Sequence, residues 1–243
     1  MLSFQDFKKR VAPTLEHICR DLIRENKGKI SVKKEEVAVR NMMRILEAVF
    51  ALNREKGFET MSLRDLSRKS GLSMGALYSY FPGKEELRSM ILHRGVAYTR
   101  QVIEGQTASC SDPVEKLEAA METHLYLTEV LRPWFYFAYM EASSLSRRER
   151  QRSMEDELAT EQIFLDILNE GVESRDFDCP DVDLVAALIK AALQDWYLKR
   201  WKYKRKGVAV EEYARFVVGF VLSRLTEDAG RRGMEKKRGG DRK

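Results

Sequence analysis

The amino-acid sequence predicts an all-α fold, and three observations predict it. Apolar positions recur at spacings of three and four rather than two, which is the signature of helix faces. Only 5 prolines and 14 glycines interrupt 243 residues, and most fall between helical stretches. No segment has the alternation of a half-buried strand. At 44% hydrophobic and 33% charged, the chain can bury a core, which excludes disorder throughout.

Taken in order, Phe4, Phe7, Val11, Ile18 and Leu22 form one stripe, so a single amphipathic helix is expected from about residue 3 to 26 despite Pro13. A basic connector follows. The next helix, about Glu35 to Lys56, turns Val39, Met43, Leu46, Val49 and Phe50 inward and stops at Gly57, a C-terminal glycine. Ser62 and Asp65 have capping-box spacing, which starts a short helix running from Leu63 to about Lys69. Ser70-Gly71-Leu72 is a tight turn, and Ser73 opens a second short helix through Tyr80. After Pro82-Gly83 a longer helix runs from Lys84 to about Ile103. Two short helices joined by a glycine turn and braced on each side make a helix-turn-helix. Further helices are expected at about 112–129, 132–145, 150–174, 181–205 and 209–226.

The charge is unevenly spread. Residues 1–95 hold 19 Lys and Arg against 12 Asp and Glu, residues 96–225 hold 17 against 22, and residues 226–243 hold 7 against 4. A basic first part and an acidic second part suit a chain in which one half meets a polyanion. Cys19, Cys110 and Cys179 are odd in number and far apart, so neither a disulfide framework nor a metal site is expected. No run of eighteen apolar residues occurs, and Asp6, Lys8, Lys9 and Arg10 interrupt the place of a secretory core, so a cytoplasmic chain without membrane contact is expected.

The most informative stretch is Leu72 to Leu87. Gly75, inside a short helix, costs about 1 kcal/mol relative to alanine, so something requires the backbone to come close there. In a recognition helix the missing side chain lets the backbone approach DNA, with Ser73, Met74 and Ser79 directed at bases or phosphates; the alternative is close packing against a neighbouring helix. The hydroxyls of Tyr78 and Tyr80 suit phosphate oxygens, while Leu77 and Phe81 have core spacing. Lys84 opposes the dipole of the helix it opens, which a phosphate at the same end would relieve.

Residues from about Val39 to Leu92 resemble the DNA-binding domain of the TetR family of bacterial transcriptional repressors. The matching residues are Ile45-Leu46-Glu47-Ala48, Glu55-Lys56-Gly57-Phe58, Thr60 to Leu66, Gly71 to Tyr78, Tyr80-Phe81 and Lys84-Glu85-Glu86-Leu87. The resemblance implies a three-helix helix-turn-helix domain followed by a helical ligand-binding and dimerisation domain. It implies DNA contacts from Ser62, Arg64, Ser73, Met74, Gly75, Ala76, Tyr78, Ser79, Tyr80 and Lys84. It also implies a homodimer on a pseudo-palindromic double-stranded operator, a small hydrophobic effector, and no cofactor. The domains expected are an N-terminal amphipathic extension (1–34), the reading domain (35–95), the effector and dimerisation domain (96–226) and a basic, disordered tail (227–243). The extension departs from the family pattern, and the sequence does not decide whether it pads the ligand domain, extends the dimer or touches DNA through Lys8, Lys9, Arg10, Lys33 and Lys34.

In the second half, Trp134 to Met140 is apolar and aromatic around most of a helix, so that helix is deeply buried or lines a cavity. The expected cavity wall is Met121, Leu125, Trp134, Phe137, Met140, Phe164 and Leu168, with His124 as its titratable group. From Tyr139 to Trp201 the spacing resembles the branch of the family that responds to fatty acyl-CoA, with Arg132, Arg147, Arg148 or Lys190 at a basic mouth. The alternative is a regulator of drug efflux that holds an aromatic or cationic compound on ring faces and on Glu122 or Glu141. Val185, Leu188, Ile189, Ala192 and Trp196, with Phe216, Val217, Phe220 and Val221, have the helical spacing of a four-helix dimer interface. An enzyme fits poorly: His17, His93 and His124 do not pair at ligand spacing, and there is no phosphate-cradling loop or nucleophile elbow. A helical scaffold protein that does not bind DNA is the remaining alternative.

Overall fold

The structure is a computed structural model and describes the chain except Met1, Pro13, residues 142–144, residue 146 and the last four residues, with 148 and 227–239 described by backbone alone. Every regular element in the described residues is a helix. The single N-terminal helix expected from sequence is two helices, α1 (Phe4–Arg10) and α2 (Leu15–Glu25). A proline has no N–H to give and restricts the residue before it, so the pattern restarts at Thr14, whose Oγ1 accepts the His17 amide at 3.1 Å.

The third helix, α3 (Glu35–Lys56), ends at Gly57 with φ 78°. Val39, Leu46 and Val49 face inward as the spacing predicts. Met42 takes the buried place assigned to Met43, and Phe50 is half-buried. Then come α4 (Leu63–Ser70), α5 (Met74–Tyr78), α6 (Lys84–Thr107), α7 (Pro113–Val130), α8 (Arg132–Glu141) and α9 (Arg147–Ser174). The long helix expected over 181–205 is broken at Lys199 into α10 (Val182–Leu198) and α11 (Arg200–Lys206). Asp195 causes the fold-back by gathering Lys199 at 3.0 Å, Lys202 at 2.5 Å and the Tyr203 hydroxyl, which lays the Tyr203 ring against Trp196 at 5.0 Å. Finally α12 (Val210–Gly239) runs well past residue 226. The expected disordered tail is helical as far as it is described, because its Glu, Arg, Lys and Met residues favour helix more than Gly230 and Gly233 oppose it.

The chain divides into two compact units. The first is Ala12–Tyr98 with Leu131–Asp156, and the second is Met1–Val11, Thr99–Val130 and Glu157–Lys243. These units, set by packing, do not coincide with the segments expected from sequence. The N-terminal extension is shared, α2 with the first unit and α1 with the second, and α8 belongs to the first.

In the first unit, α2 is fixed by charge as well as by apolar burial. Arg94 of α6 is buried, with Nη2 2.6 Å from Asp21 and Nη1 on Glu25. In the second unit, α1 packs by its rings: Phe4 and Phe7 lie 5.3 and 5.4 Å from Tyr126 of α7, and Glu211 of α12 accepts the Phe4 amide at 2.8 Å.

Candidate nucleic-acid interface

The helix-turn-helix is built by caps. Ser62 Oγ accepts the Asp65 amide at 3.1 Å while Asp65 Oδ2 accepts the Ser62 amide at 3.0 Å, the reciprocal arrangement that satisfies two free donors at a helix start. Lys56 Nζ reaches the same carboxylate at 2.6 Å. The hydrogen bonds from Lys56 and then Ser62 hold the Asp65 carboxyl well below the usual range. At the other end, α4 stops at Gly71, whose φ of 67° is left-handed. A β-carbon there would also come within 2.6 Å of Arg44 Nη2, which donates to the Gly71 carbonyl at 3.2 Å. Ser73 then caps α5 by accepting the Ala76 amide at 3.2 Å.

This frame turns α5 outward. Arg64, Ser73, Gly75 and Tyr78 are exposed or partly so, and Met74, Ala76 and Ser79 are half-buried beside them. A β-carbon added to Gly75 meets nothing within 4 Å, so close packing against a neighbouring helix does not explain this glycine. The Ser79 hydroxyl donates to the Ala76 carbonyl at 2.6 Å, and Ser62 is engaged in its cap.

One expected contact needs correction, and a second has partners inside the protein. Tyr78 is 53% exposed but Tyr80 only 1%; the Tyr80 ring is core, with its hydroxyl 3.5 Å from the Val37 carbonyl, and cannot reach DNA in this conformation. Lys84 is already engaged within the protein, which the sequence does not indicate. Its Nζ donates to the carbonyls of Phe58 at 3.0 Å and Glu59 at 2.8 Å and lies 5.0 Å from the centre of the Phe58 ring. Those partners lie far back along the chain, and no local spacing signals them.

The connector between α2 and α3 also sits at this face, which the sequence left open. The Ser31 amide donates to the Ser79 carbonyl at 3.0 Å, the position directly after α5. Buried Ile30 and the Lys29 pair with Glu86 at 2.6 Å hold the connector there, and Lys27, Lys33 and Lys34 are exposed along it.

Comparison with known proteins matches residues 45–90 to the family described as "Bacterial regulatory proteins, tetR family" and residues 110–225 to "Tetracyclin repressor-like, C-terminal domain". The TetR-family transcriptional regulator PfmR from Thermus thermophilus is 31% identical, with a TM-score of 0.66 over 74% of this chain and 97% of its own. The chain belongs to the TetR family. It is a helix-turn-helix transcriptional regulator. The HTH-type transcriptional repressor KstR2 of Mycobacterium tuberculosis is 24% identical over 186 residues, 76% of this chain and 92% of KstR2. FadR from Bacillus subtilis, solved in complex with stearoyl-CoA, shares the fold at TM-score 0.61 and 19% identity, over 75% of this chain and 98% of its own. Helices α1 and α2 precede both matched ranges.

In this TetR-family chain the expected cavity wall is divided between the two units. Trp134 and Phe137 belong to the first, where Trp134 Nε1 donates to the Ile91 carbonyl at 2.8 Å. There Phe50 lies 5.5 Å from Trp134 and 5.9 Å from Phe137, and Phe58 lies 5.3 Å from Phe137. These rings are packing around the reading helices. Met140, in the same unit, is exposed. In the second unit Met121, Leu125, Phe164 and Leu168 are fully buried. His124 lies 6.3 Å from the Phe164 ring, and burial followed by the Lys190 charge keeps its imidazole well below its usual pKa, hence neutral. Lys190 is itself buried and paired with Glu157 at 3.3 Å, so it is no exposed mouth.

The dimerisation residues divide likewise. Ile189, Trp196 and Val217 are buried within the protomer, whereas Leu188, Phe216 and Phe220 are 61, 71 and 64% exposed, and Val185, Ala192 and Val221 are half-buried. Leu184, absent from the expected set, is 68% exposed. Both α10 and α12 are apolar on more than one side, so spacing alone does not say which side faces out.

Proposed function

We propose that this regulator is a ligand-released repressor that reads a pseudo-palindromic operator as a homodimer, with α5 in the major groove. The observation that carries this reading is the open space before Gly75 on an outward helix, flanked by Ser73, Tyr78 and Arg64. A glycine that its own fold does not require, at a cost of about 1 kcal/mol, suits a backbone that a DNA groove approaches. Met74, Ala76 and Ser79 edge the contact, and Lys33 and Lys34 add phosphate contacts beside it. Tyr80 and Lys84 act as positioning residues within the protein.

The dimer surface consists of Leu184 and Leu188, one turn apart on α10, with Phe216 and Phe220, one turn apart on α12 and stacked at 6.5 Å. Large apolar side chains exposed in pairs at helical spacing mark a surface that another copy covers. The effector is a hydrophobic molecule accommodated among Met121, Leu125, Phe164 and Leu168 with His124 neutral beside it. A long-chain acyl-CoA is supported by the fold shared with the stearoyl-CoA complex of FadR. Effector and operator then weaken one another reciprocally.

The test is binding of the full chain to a labelled duplex spanning the DNA upstream of its own gene, in the presence of excess genomic DNA. Protection of two half-sites centred about 34–36 Å apart, lost on adding an acyl-CoA, is the expected result. Binding that the genomic competitor abolishes in proportion to its mass overturns the reading.

A further inference from the structure

The second unit contains a cavity apart from the operator surface and from the hydrophobic effector wall, and it holds Glu122, one of the two carboxylates the sequence offers to a cationic compound. It has a volume of about 310 Å³ and lies against α7, with Glu115, Glu118, Ala119, Glu122, Thr123 and Tyr126 on one wall. Leu2 and Phe7 from the α1 segment, Gln106 from the end of α6, and Ser109 and Cys110 just after it complete the lining. None of the expected effector-wall residues is among these. Leu2, Phe7, Gln106 and Ser109 of the lining lie outside the matched family ranges, and the remaining seven lie within residues 110–225.

The charge of the lining is one-sided. Among the described residues, three carboxylates line the space and no lysine or arginine does. Glu115 is committed locally, its Oε2 accepting the Ser111 amide and hydroxyl at 3.2 Å each. Glu122 is not. It is only 6% exposed, and its Oε1 has no hydrogen-bond partner. A buried carboxylate oxygen without a partner is costly, and a bound group that supplies the missing donor is one reason a fold keeps it. Burial first, then the Glu118 charge, push the Glu122 carboxyl up to about 7 against the opposing charges of the amino terminus and Arg215 of α12. Tyr126 and Phe7 provide an apolar flank beside it.

We propose that this cavity binds a small organic cation, a protonated amine or amidine on a short apolar body, with Glu122 as its counter-ion. The ammonium or amidinium N–H groups satisfy Glu122 Oε1, Glu118 adds charge, and the apolar body lies along Phe7 and Ala119. The volume is at the small end of ligand sites and takes a ligand about the size of benzylamine. Since α1 closes the site, occupancy also stabilises the docking of α1.

The test uses the full chain and three probes of similar shape: benzylammonium, benzyl alcohol and benzoate, followed by calorimetry and by the thermal midpoint. Benzylammonium is expected to bind once per chain, at least tenfold more tightly than benzyl alcohol, and benzoate not at all. Its affinity should rise about tenfold from pH 6 to pH 8, as Glu122 ionises around 7 while the probe stays protonated. Glu122→Gln, which keeps shape, should weaken it at least tenfold, and Ala119→Phe, which fills the space, should abolish it. Both should leave operator binding in place, so failure here is separable from failure of the operator reading. Equal binding of benzyl alcohol, unchanged binding in Glu122→Gln, or no binding of benzylammonium overturns the proposal.

Discussion

The two units differ in one buried group: both pair buried cations with carboxylates, Lys190 with Glu157 at 3.3 Å in the second unit included, but among the described residues only the second leaves a buried carboxylate oxygen, that of Glu122, without a partner. In the reading unit, buried Arg94 is held by Asp21 and Glu25, and buried Arg88 by Glu59 at 2.7 Å, by Glu85, and by Glu149 at 3.5 Å. Each guanidinium leaves only its Nε without a partner. In the second unit Glu122 is buried with an unpartnered oxygen and His124 is buried neutral. A scaffold that must present α5 at fixed geometry gains from satisfied networks, which resist distortion. A receptor instead leaves polar groups for a ligand to complete. The contrast fits the proposed roles of a fixed reading frame and a site whose carboxylate a ligand completes.

The comparison is broken most directly at Arg94. Replacing it with methionine removes the guanidinium that Asp21 and Glu25 share and should cost about 3 kcal/mol, the low end for a broken buried pair because Glu25 is half-exposed. Chemical denaturation measures the loss, and limited proteolysis should show α2 released first. Unchanged stability would mean that α2 is held by apolar burial alone.

Next in size is Gly75→Leu. Nothing in the protein meets the new side chain, so folding stability should hold or rise slightly as the helix loses a glycine. Operator affinity should fall at least a hundredfold, about 2.7 kcal/mol. Gly75→Ala separates the two effects, with a raised thermal midpoint and a smaller loss of binding. Loss of stability with binding intact would show that the glycine serves the fold.

The carboxyls of the two units titrate with opposite sign. Asp65, held down by Lys56 and Ser62, contributes stability that is present above the ordinary carboxylate range and lost as pH falls through its depressed pKa. Glu122 is raised from 4.5 to about 7. In that window the folded chain holds a proton the unfolded chain has released, so stability falls as pH rises, by up to roughly 3 kcal/mol across the window at about 1.4 kcal/mol per pKa unit. Glu122→Gln should flatten the profile across that window and raise stability on its alkaline side, while Asp65→Asn should lower stability at neutral pH and leave that slope alone. A slope that survives Glu122→Gln belongs to other groups.

Sequence showed most where structure is made locally. The capping box at Ser62, the left-handed stop at Gly71 and the cap at Ser73 each depend on residues three or four apart, and all three appear as spaced. It failed where a side chain's environment is set from far along the chain. Tyr78 and Tyr80 look alike in the motif, yet α5 ends at Tyr78 and the turn after it, with the Tyr80 amide bonded to the Leu77 carbonyl at 2.9 Å, sends one ring out and the other in. Trp134 and Phe137 have the pattern of a cavity wall because both a wall and a core require apolar rings. Only the identity of their neighbours, Phe50 and Phe58, tells the two apart. Glu122 is readable from sequence only as one of two carboxylates, with Glu141, that could hold a cationic compound; its unpartnered oxygen depends on the packing of α1 and the end of α6, which no local spacing shows.

The smallest expected effect tests how far the reading surface extends. The Ser31 to Ser79 bond places the basic connector beside the end of α5, so Lys33 and Lys34 should each neutralise one phosphate. Changing both to glutamine should leave stability unchanged, because both are exposed. It should weaken every duplex by a similar few-fold factor and lower the slope of log affinity against log salt by about 1.8, since each phosphate contact contributes about 0.9. A change in preferred sequence would instead mean that the connector enters a groove and reads base edges. An unchanged slope would confine DNA contact to α4 and α5 and leave the connector the simpler task of bracing the residue that ends the reading helix.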